Sequence, residues 1–450
     1  MLHIQITTKA KRVKLTRLAV FFLAVPYLLI AGCGRSAPKG LTILVSGDTQ
    51  GWITPCGCAS NQSGGLPRRG AYVEDLRQKS NVLLLDVGGS ATSTGEYQTL
   101  KLTSLLTGAS KMNLALHNIG GSESAFSPNE LHELGEKAGV RWLSANLLSG
   151  SGKKSVIASQ LVELGGIKVG ITGVIDPALV EHSEWQVQEP VRSVLDALDG
   201  MDADVKVVLA YFDEAGLRKL SESLPEVDYI IGGPTGQCMS PTRVGPVTML
   251  SVTNKGKFLG RIDLQPEESG FAEKHIELVE VSSTLPEAPV QLDNLAEYHS
   301  LLAKRDFTAT EAKLDAFEGT NWAGMEIAGS RSCAKCHELD QDVWHDSKHS
   351  HAWEVLVLKD SQYDPHCQQC HTTGYSLPGG FINVAQSENR IHVGCENCHG
   401  PSKAHVDDPR TRTPFQAKEQ CVRCHDHENS PLFELAPYWK KIFHEGKKNT

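Results

Sequence analysis

Between residues 41 and 281 the chain alternates short apolar runs with longer amphipathic stretches. Residues 41–45 (Leu-Thr-Ile-Leu-Val) and 82–86 (Val-Leu-Leu-Leu-Asp) read as buried strands, with a helix over 68–78 between them. The spacing of apolar positions then predicts a helix over 97–116, a strand at 140–145, a helix at 191–198, a strand at 205–210, a helix at 214–223 and a strand at 227–231. Residues 161–164 and 167–172, joined by Gly165-Gly166, predict a hairpin. Strands at 247–252, 258–264 and 275–281 close the series. Strand and helix in this order predict a layered α/β domain with mixed sheets over 41–282.

The pattern changes at both ends of that region. Pro286 and Pro289 break the strand series, and 292–304 then reads as an amphipathic helix, with a second over 310–317. Residues 283–330 are therefore expected to be a helical connector packed against its neighbours, because Leu295, Leu301, Leu302 and Phe317 need cover. His299 on that helix is expected at the surface. At the other end, Lys9, Lys11, Arg12, Lys14 and Arg17 precede the apolar run 18–30, the layout of an export signal. The run ends in Ile30-Ala31-Gly32-Cys33, which resembles a bacterial lipobox. That resemblance implies lipidation of Cys33 and a tether to a membrane surface, placing the mature chain in the bacterial cell envelope, facing the periplasm. An ordinary cleaved signal and an uncleaved anchor are the alternatives.

Composition adds chemistry. The chain has 450 residues, long enough for two or three domains, with 12 Cys, 18 His and a formal net charge of −9, which argues against a nucleic-acid partner. Eight of the cysteines fall in four copies of Cys-x-x-Cys-His: CAKCH at 333–337, CQQCH at 367–371, CENCH at 395–399 and CVRCH at 421–425. Two thiols three positions apart can each form a thioether to the two vinyl groups of one haem, and the adjacent His then lies under the iron. Cys333, Cys336 and His337, then Cys367, Cys370 and His371, Cys395, Cys398 and His399, and Cys421, Cys424 and His425 are thus expected to hold four covalent c-type haems. Zinc is the competing reading, but zinc does not require His directly after each second Cys.

Residues 43–48 (Ile-Leu-Val-Ser-Gly-Asp), 83–90 (Leu-Leu-Leu-Asp-Val-Gly-Gly-Ser), 143–147, 167–173, 227–233 and 256–263 together, in this order, resemble the calcineurin-like metallophosphatase domain of the 5′-nucleotidase type. The resemblance implies a two-metal hydrolase site, but its ligand positions depart from the family. Asp48 stands, yet Gln50 replaces a His; Gly88-Gly89 replaces a Gly-Asp pair; Gly120-Gly121-Ser122-Glu123 replaces a Gly-Asn-His motif; Ala210-Tyr211 lacks a His; and 232–236 has lost both His of a Gly-Gly-His-x-His loop. One surviving Asp cannot build a carboxylate and imidazole cage around two ions. The expectation is the fold without phosphatase activity, with phosphoester hydrolysis by an unusual metal set as a remote alternative. Cys56, Cys58 and Cys238 belong to loops at the same carboxyl edge. They are candidates for a disulfide between Cys238 and Cys56 or Cys58, for a further metal or redox site near Asp48 or His117, or for free buried thiols.

Residues 332–337, Trp344 with 347–352, 370–375, 394–401 and 403–405 resemble the cytochrome c-554 family. That resemblance implies a mostly helical, haem-packed tetrahaem domain over 331–450, in which His349 and His405 are the best second axial ligands. His444 is the third candidate, His351 the alternative to His349, and His366, His392 and His427 are expected at the surface. The function expected is electron transfer between a redox donor and an acceptor protein. The alternative is an oxidoreductase acting on a small nitrogen or sulfur compound at an iron lacking its second His, or at the Cys56/Cys58/Cys238 site.

Overall fold

The computed structural model describes residues 40–444 except 56–61, 150–155, 269, 315–319, 416 and 428. Cys33, Cys56, Cys58 and Phe317 lie outside the described residues, as do the export signal and lipobox. Two mixed sheets face each other. In the first, β1 (Leu41–Ser46) pairs in parallel with β2 (Asn81–Asp86), which pairs in parallel with β3 (Leu114–Asn118). On its other side β1 pairs antiparallel with Phe258–Pro266, itself antiparallel to Phe271–Glu280. The second sheet runs in the order Met239–Val244, Val247–Ser251, Tyr229–Gly233, Val205–Tyr211, Ile167–Ile175, Ser159–Leu164.

Side-chain alternation explains why these strands are apolar on both faces. Ile43, Val45, Leu83 and Leu85 point inward and meet Ile171, Val207, Leu209 and Ile231 of the facing sheet, whereas Leu44 and Leu84 point outward under helices. Those helices are α1 (Leu66–Lys79) and α2 (Glu96–Lys111). Pro67 sits in the first turn of α1 and Arg77 and Lys79 in its last, where a missing N–H and positive charge are each favoured. Val208 and Ala210 of the second sheet point outward likewise, toward Val194, Leu198, Leu217 and Leu220 of the helices Pro190–Leu198 and Glu214–Ser223. The domain is a four-layer helix–sheet–sheet–helix sandwich.

The helix expected over 97–116 is divided. It stops at Lys111, Asn113 turns the chain with φ +52, and Leu114–Asn118 is a strand. The helix in the connector, α3 (Pro289–Arg305), lies in the outer layer over α1 and α2, with Tyr298 and Leu302 buried in the same cluster as Leu44 and Tyr97. His299 beside Tyr298 is half-buried rather than at the surface, and burial lowers its pKa. Past Arg305 the structure is built of short helices joined by turns. Its joint with α3 is polar: the Asp306 carboxylate accepts from the backbone N–H of Val384 at 3.1 Å and of Ala385 at 3.0 Å.

Candidate functional site

In the segment from 331 onward the protein core is small. Trp353, Leu356, Tyr375 and Phe381 cluster with Ala309, while Leu339, Val357, Leu358, Val422, Leu432 and Phe443 stand exposed. The motifs adjoin. The thiol of Cys333 is within hydrogen-bond reach of Cys395, and the helix Glu396–His399 packs on Ala417–Cys424, bringing Cys398 close to Cys421 and Cys424. Burial and these neighbouring thiols push the Cys398 thiol up to about 12. The Glu396 side chain ties the arrangement together. It accepts from the backbone N–H of Ala328 (2.9 Å) and Gly329 (2.6 Å) before the first motif, and of Ser402 (2.7 Å) after the third.

Three of the four motif histidines face a second imidazole. His337 and His405 have ring centroids 6.4 Å apart, His349 and His425 6.2 Å, and His399 and His444 5.9 Å. Two imidazoles held by one nitrogen each on opposite sides of a single metal, at about 2 Å per bond, have centroids roughly 6 Å apart. The Nδ1 atoms fit the same role. Nδ1 of His371 lies 2.6 Å from the carbonyl O of Ala352, that of His405 2.8 Å from Thr411 O, and that of His444 2.9 Å from Ile442 O. Nδ1 of His337 lies 3.3 Å from Asp340 Oδ2, and that of His425 3.1 Å from Ser430 Oγ. An Nδ1–H donated to such an acceptor fixes the ring and leaves Nε2 for a metal. The residues present therefore fit haem iron. Burial, then the neighbouring His425 and His371, lower the His349 pKa to about 4, which favours the neutral imidazole that ligation needs.

The remaining histidines sit elsewhere. His351 faces His345, centroids 6.1 Å apart, and is exposed with its Nδ1 3.1 Å from Glu354. His392 Nδ1 accepts the backbone N–H of Trp353 at 3.3 Å. His366, expected at the surface, is half-buried against Trp52, and the charge of Lys101 together with burial lowers its pKa to about 4.

At the carboxyl edge of the α/β domain the positions that resemble a two-metal site are closed by their own hydrogen bonds. Asp48 receives Gln50 Nε2 at 3.0 Å, the Tyr211 hydroxyl at 3.5 Å and the Thr253 hydroxyl. Asp86 accepts from Ser46 Oγ (2.5 Å) and Gly88 N (2.8 Å), and its Oδ1 lies 3.5 Å from His117 Nε2. Glu123, fully buried, accepts four backbone N–H groups: Gly89 at 2.9 Å, Ser90 at 2.5 Å, Ala91 at 3.1 Å and Gly120 at 3.1 Å. Burial and the charge of Asp48 raise the Tyr211 pKa, so its hydroxyl stays protonated as a donor. Among the described residues no group of three or more His, Cys, Asp or Glu side chains is placed to hold a metal ion. Asp48, Asp86 and Glu123 at this edge are thus each engaged by internal donors. Cys238 is a half-buried thiol whose pKa burial raises. The sequence marked Glu123 only as part of a lost motif; its acceptor role depends on two loops that local sequence does not bring together.

No helix among the described residues is long and apolar enough to cross a membrane. Residues 332–400 match the family model described as cytochrome c554 and c-prime. The chain is 28% identical to cytochrome c-554 of Nitrosomonas europaea over a 145-residue alignment covering 24% of this chain. The match spans 62% of that relative's length. By structure, the chain is similar to a 5′-nucleotidase precursor from Thermus thermophilus, with TM-score 0.50 and 16% identity, covering 87% of this chain and 96% of that one. It is also similar to a putative 5′-nucleotidase from Staphylococcus aureus, with TM-score 0.50 and 14% identity, covering 82% and 72%. Identities this low show a shared fold and nothing of activity. Residues 332–400 thus match the cytochrome c554 and c-prime family model, and the α/β domain shares its fold with the 5′-nucleotidases.

Proposed function

We propose that the protein is an exported tetrahaem c-type cytochrome that passes electrons between a donor and an acceptor protein, tethered to a membrane through lipidated Cys33. The division is 41–282 for the metallophosphatase-like domain, 283–330 for the connector and 331–450 for the haem segment. A covalently held haem supplies one-electron exchange between ferric and ferrous iron. The observation that carries the reading is the set of facing imidazoles, His337 with His405, His425 with His349 and His399 with His444. A second imidazole closes an iron to small molecules and leaves it to relay electrons. His337, His371, His399 and His425 would serve as proximal ligands, and His405, His349 and His444 as the second ligands of three irons. The contact of Cys333 with Cys395, and of Cys398 with Cys421 and Cys424, supports closely spaced haems along the chain. The α/β domain is proposed to be inactive as a phosphatase, because Asp48, Asp86 and Glu123 are all committed to internal partners.

Haem quantitation with electron paramagnetic resonance tests this reading. Four haems per chain are expected, with His405→Met, His349→Met and His444→Met each perturbing one low-spin signal and leaving the others. Fewer haems, or a substitution that alters no signal, would overturn the assignment. Replacement of Cys33 by Ala is expected to release the protein from the membrane fraction.

A further inference from the structure

The α/β domain grips the stretch that leads into the second Cys-x-x-Cys-His motif. The stretch 363–366 inserts into the outer layer of the domain, Tyr363 packing on the cluster that contains Leu44, Tyr97 and Tyr298. Asp364 is buried at its centre. It accepts from the Tyr97 hydroxyl at 2.6 Å and from the Tyr298 hydroxyl at 2.9 Å, one on α2 and one on α3. The same carboxylate caps the helix α4 (Pro365–His371) by accepting the backbone N–H of His366 at 2.9 Å. That helix carries Cys367, Cys370 and His371. Lys101 stands behind the cluster, its Nζ 3.2 Å from the Tyr97 hydroxyl, and balances the Asp364 charge. On the other side Trp52, in the loop that leaves β1 past Asp48 and Gln50, packs edge-on against His366, ring centroids 6.1 Å apart.

We infer that Asp364 is a positioning residue for the second haem. Gripped by Tyr97 and Tyr298, it fixes how Cys367, Cys370 and His371 present to their haem, so that the α/β domain sets the reduction potential of that one haem. A carboxylate with two phenol donors, a backbone N–H and a buried ammonium nearby has a defined geometry, and a helix of two turns transmits it directly to His371. Glu396, by contrast, ties the first and third motifs to each other.

The inference rests on the reading that the second motif carries a haem. The test is potentiometric titration of the full-length holoprotein with both Tyr97 and Tyr298 changed to Phe. This double variant keeps the rings in the core and removes only the two hydroxyls. Tyr298→Phe alone serves if the double variant does not accumulate. Arg305→Met is the control, since Arg305 pairs with Glu96 and Glu311 on the same layer without touching Asp364. The expected result is one midpoint displaced, equivalent to about a tenfold change in that haem's redox equilibrium, the scale of one lost charge-assisted hydrogen bond. The remaining midpoints, and all of those in the control, stay in place. Four haems with every midpoint unmoved would overturn the inference, as would an equal displacement in the control. A peptide containing Cys367 and Cys370 without haem mass would instead overturn the reading beneath it.

Discussion

Glu123→Gln is the substitution that most directly tests how the carboxyl edge of the α/β domain is held. The Glu123 carboxylate is fully buried and takes two backbone donors at each oxygen: Gly89 and Gly120 at Oε2, Ser90 and Ala91 at Oε1. An amide nitrogen cannot accept, so whichever way the Gln side chain turns, two of the four N–H groups lose their acceptor and face a new donor. At about 1.5–3 kcal/mol for each hydrogen bond to a charged group, the loss is about 3–6 kcal/mol. That is a large fraction of the roughly 5–15 kcal/mol that holds a domain folded. Denaturant unfolding followed by far-ultraviolet circular dichroism on the haem-loaded protein reads it, as an early transition of the α/β domain separate from the haem segment. A midpoint shift worth less than about 1 kcal/mol would refute the reasoning, because an ordinary surface change costs about that little. The loops at Gly88-Gly89 and Gly120 would then be held by something other than this carboxylate.

Restoring two of the family ligands by combining Gln50→His with Gly89→Asp is expected to give no hydrolysis of p-nitrophenyl phosphate with added manganese or zinc. A Cβ at position 89 would lie 2.8 Å from the Tyr211 side chain, at a φ of +79 that side chains rarely adopt; measurable turnover would sink the closed-edge argument. Asp364 gives a pH signature. Burial alone would raise its pKa, but Lys101, His366 and the Tyr97 hydroxyl hold it below the usual carboxylate range. Because the folded value lies below the unfolded one of about 3.9, its stabilisation is complete above that pH and is lost as pH falls through the folded value. Asp364→Asn should therefore lower the melting temperature at neutral pH and converge on the parent only in strong acid; a constant difference at all pH values would contradict this. Glu396→Gln, which weakens the contacts to Ala328, Gly329 and Ser402, should speed proteolytic cleavage near 328–332 with the α/β domain unaffected.

The sandwich was legible wherever a strand is a continuous apolar run, as at Leu41–Ser46 or Val205–Tyr211, because both faces of each sheet are covered. Leu114–Asn118 was hidden because Leu114 and Leu116 extend the apolar period of the helix before it, and only Asn113 marks the turn. The helix Pro128–Ala138 went unread for want of an apolar run, although Ser127 and Glu130 form a capping box at its start and Gly139 ends it in the left-handed conformation. The motif cysteines and histidines are local patterns and could be read directly. Which imidazole faces which could not, since His349 meets a motif 76 positions on, by the numbering 425 − 349. The contacts of Asp364 with Tyr97 and Tyr298 are equally long-range, and no local pattern announces them.

The facing imidazoles join positions 337 with 405, 349 with 425 and 399 with 444. Drawn as arcs along the chain, every one of the three crosses the other two. Crossing arcs are not nested, so no pair closes wholly inside another. A chain made from its N-terminal end can close none of them until residue 405 is present, by which point three of the four motifs have already been made. All three pairings therefore wait on residues 405–444, beyond the third motif. Losing the last arc by truncation before His444 would leave the other two able to close.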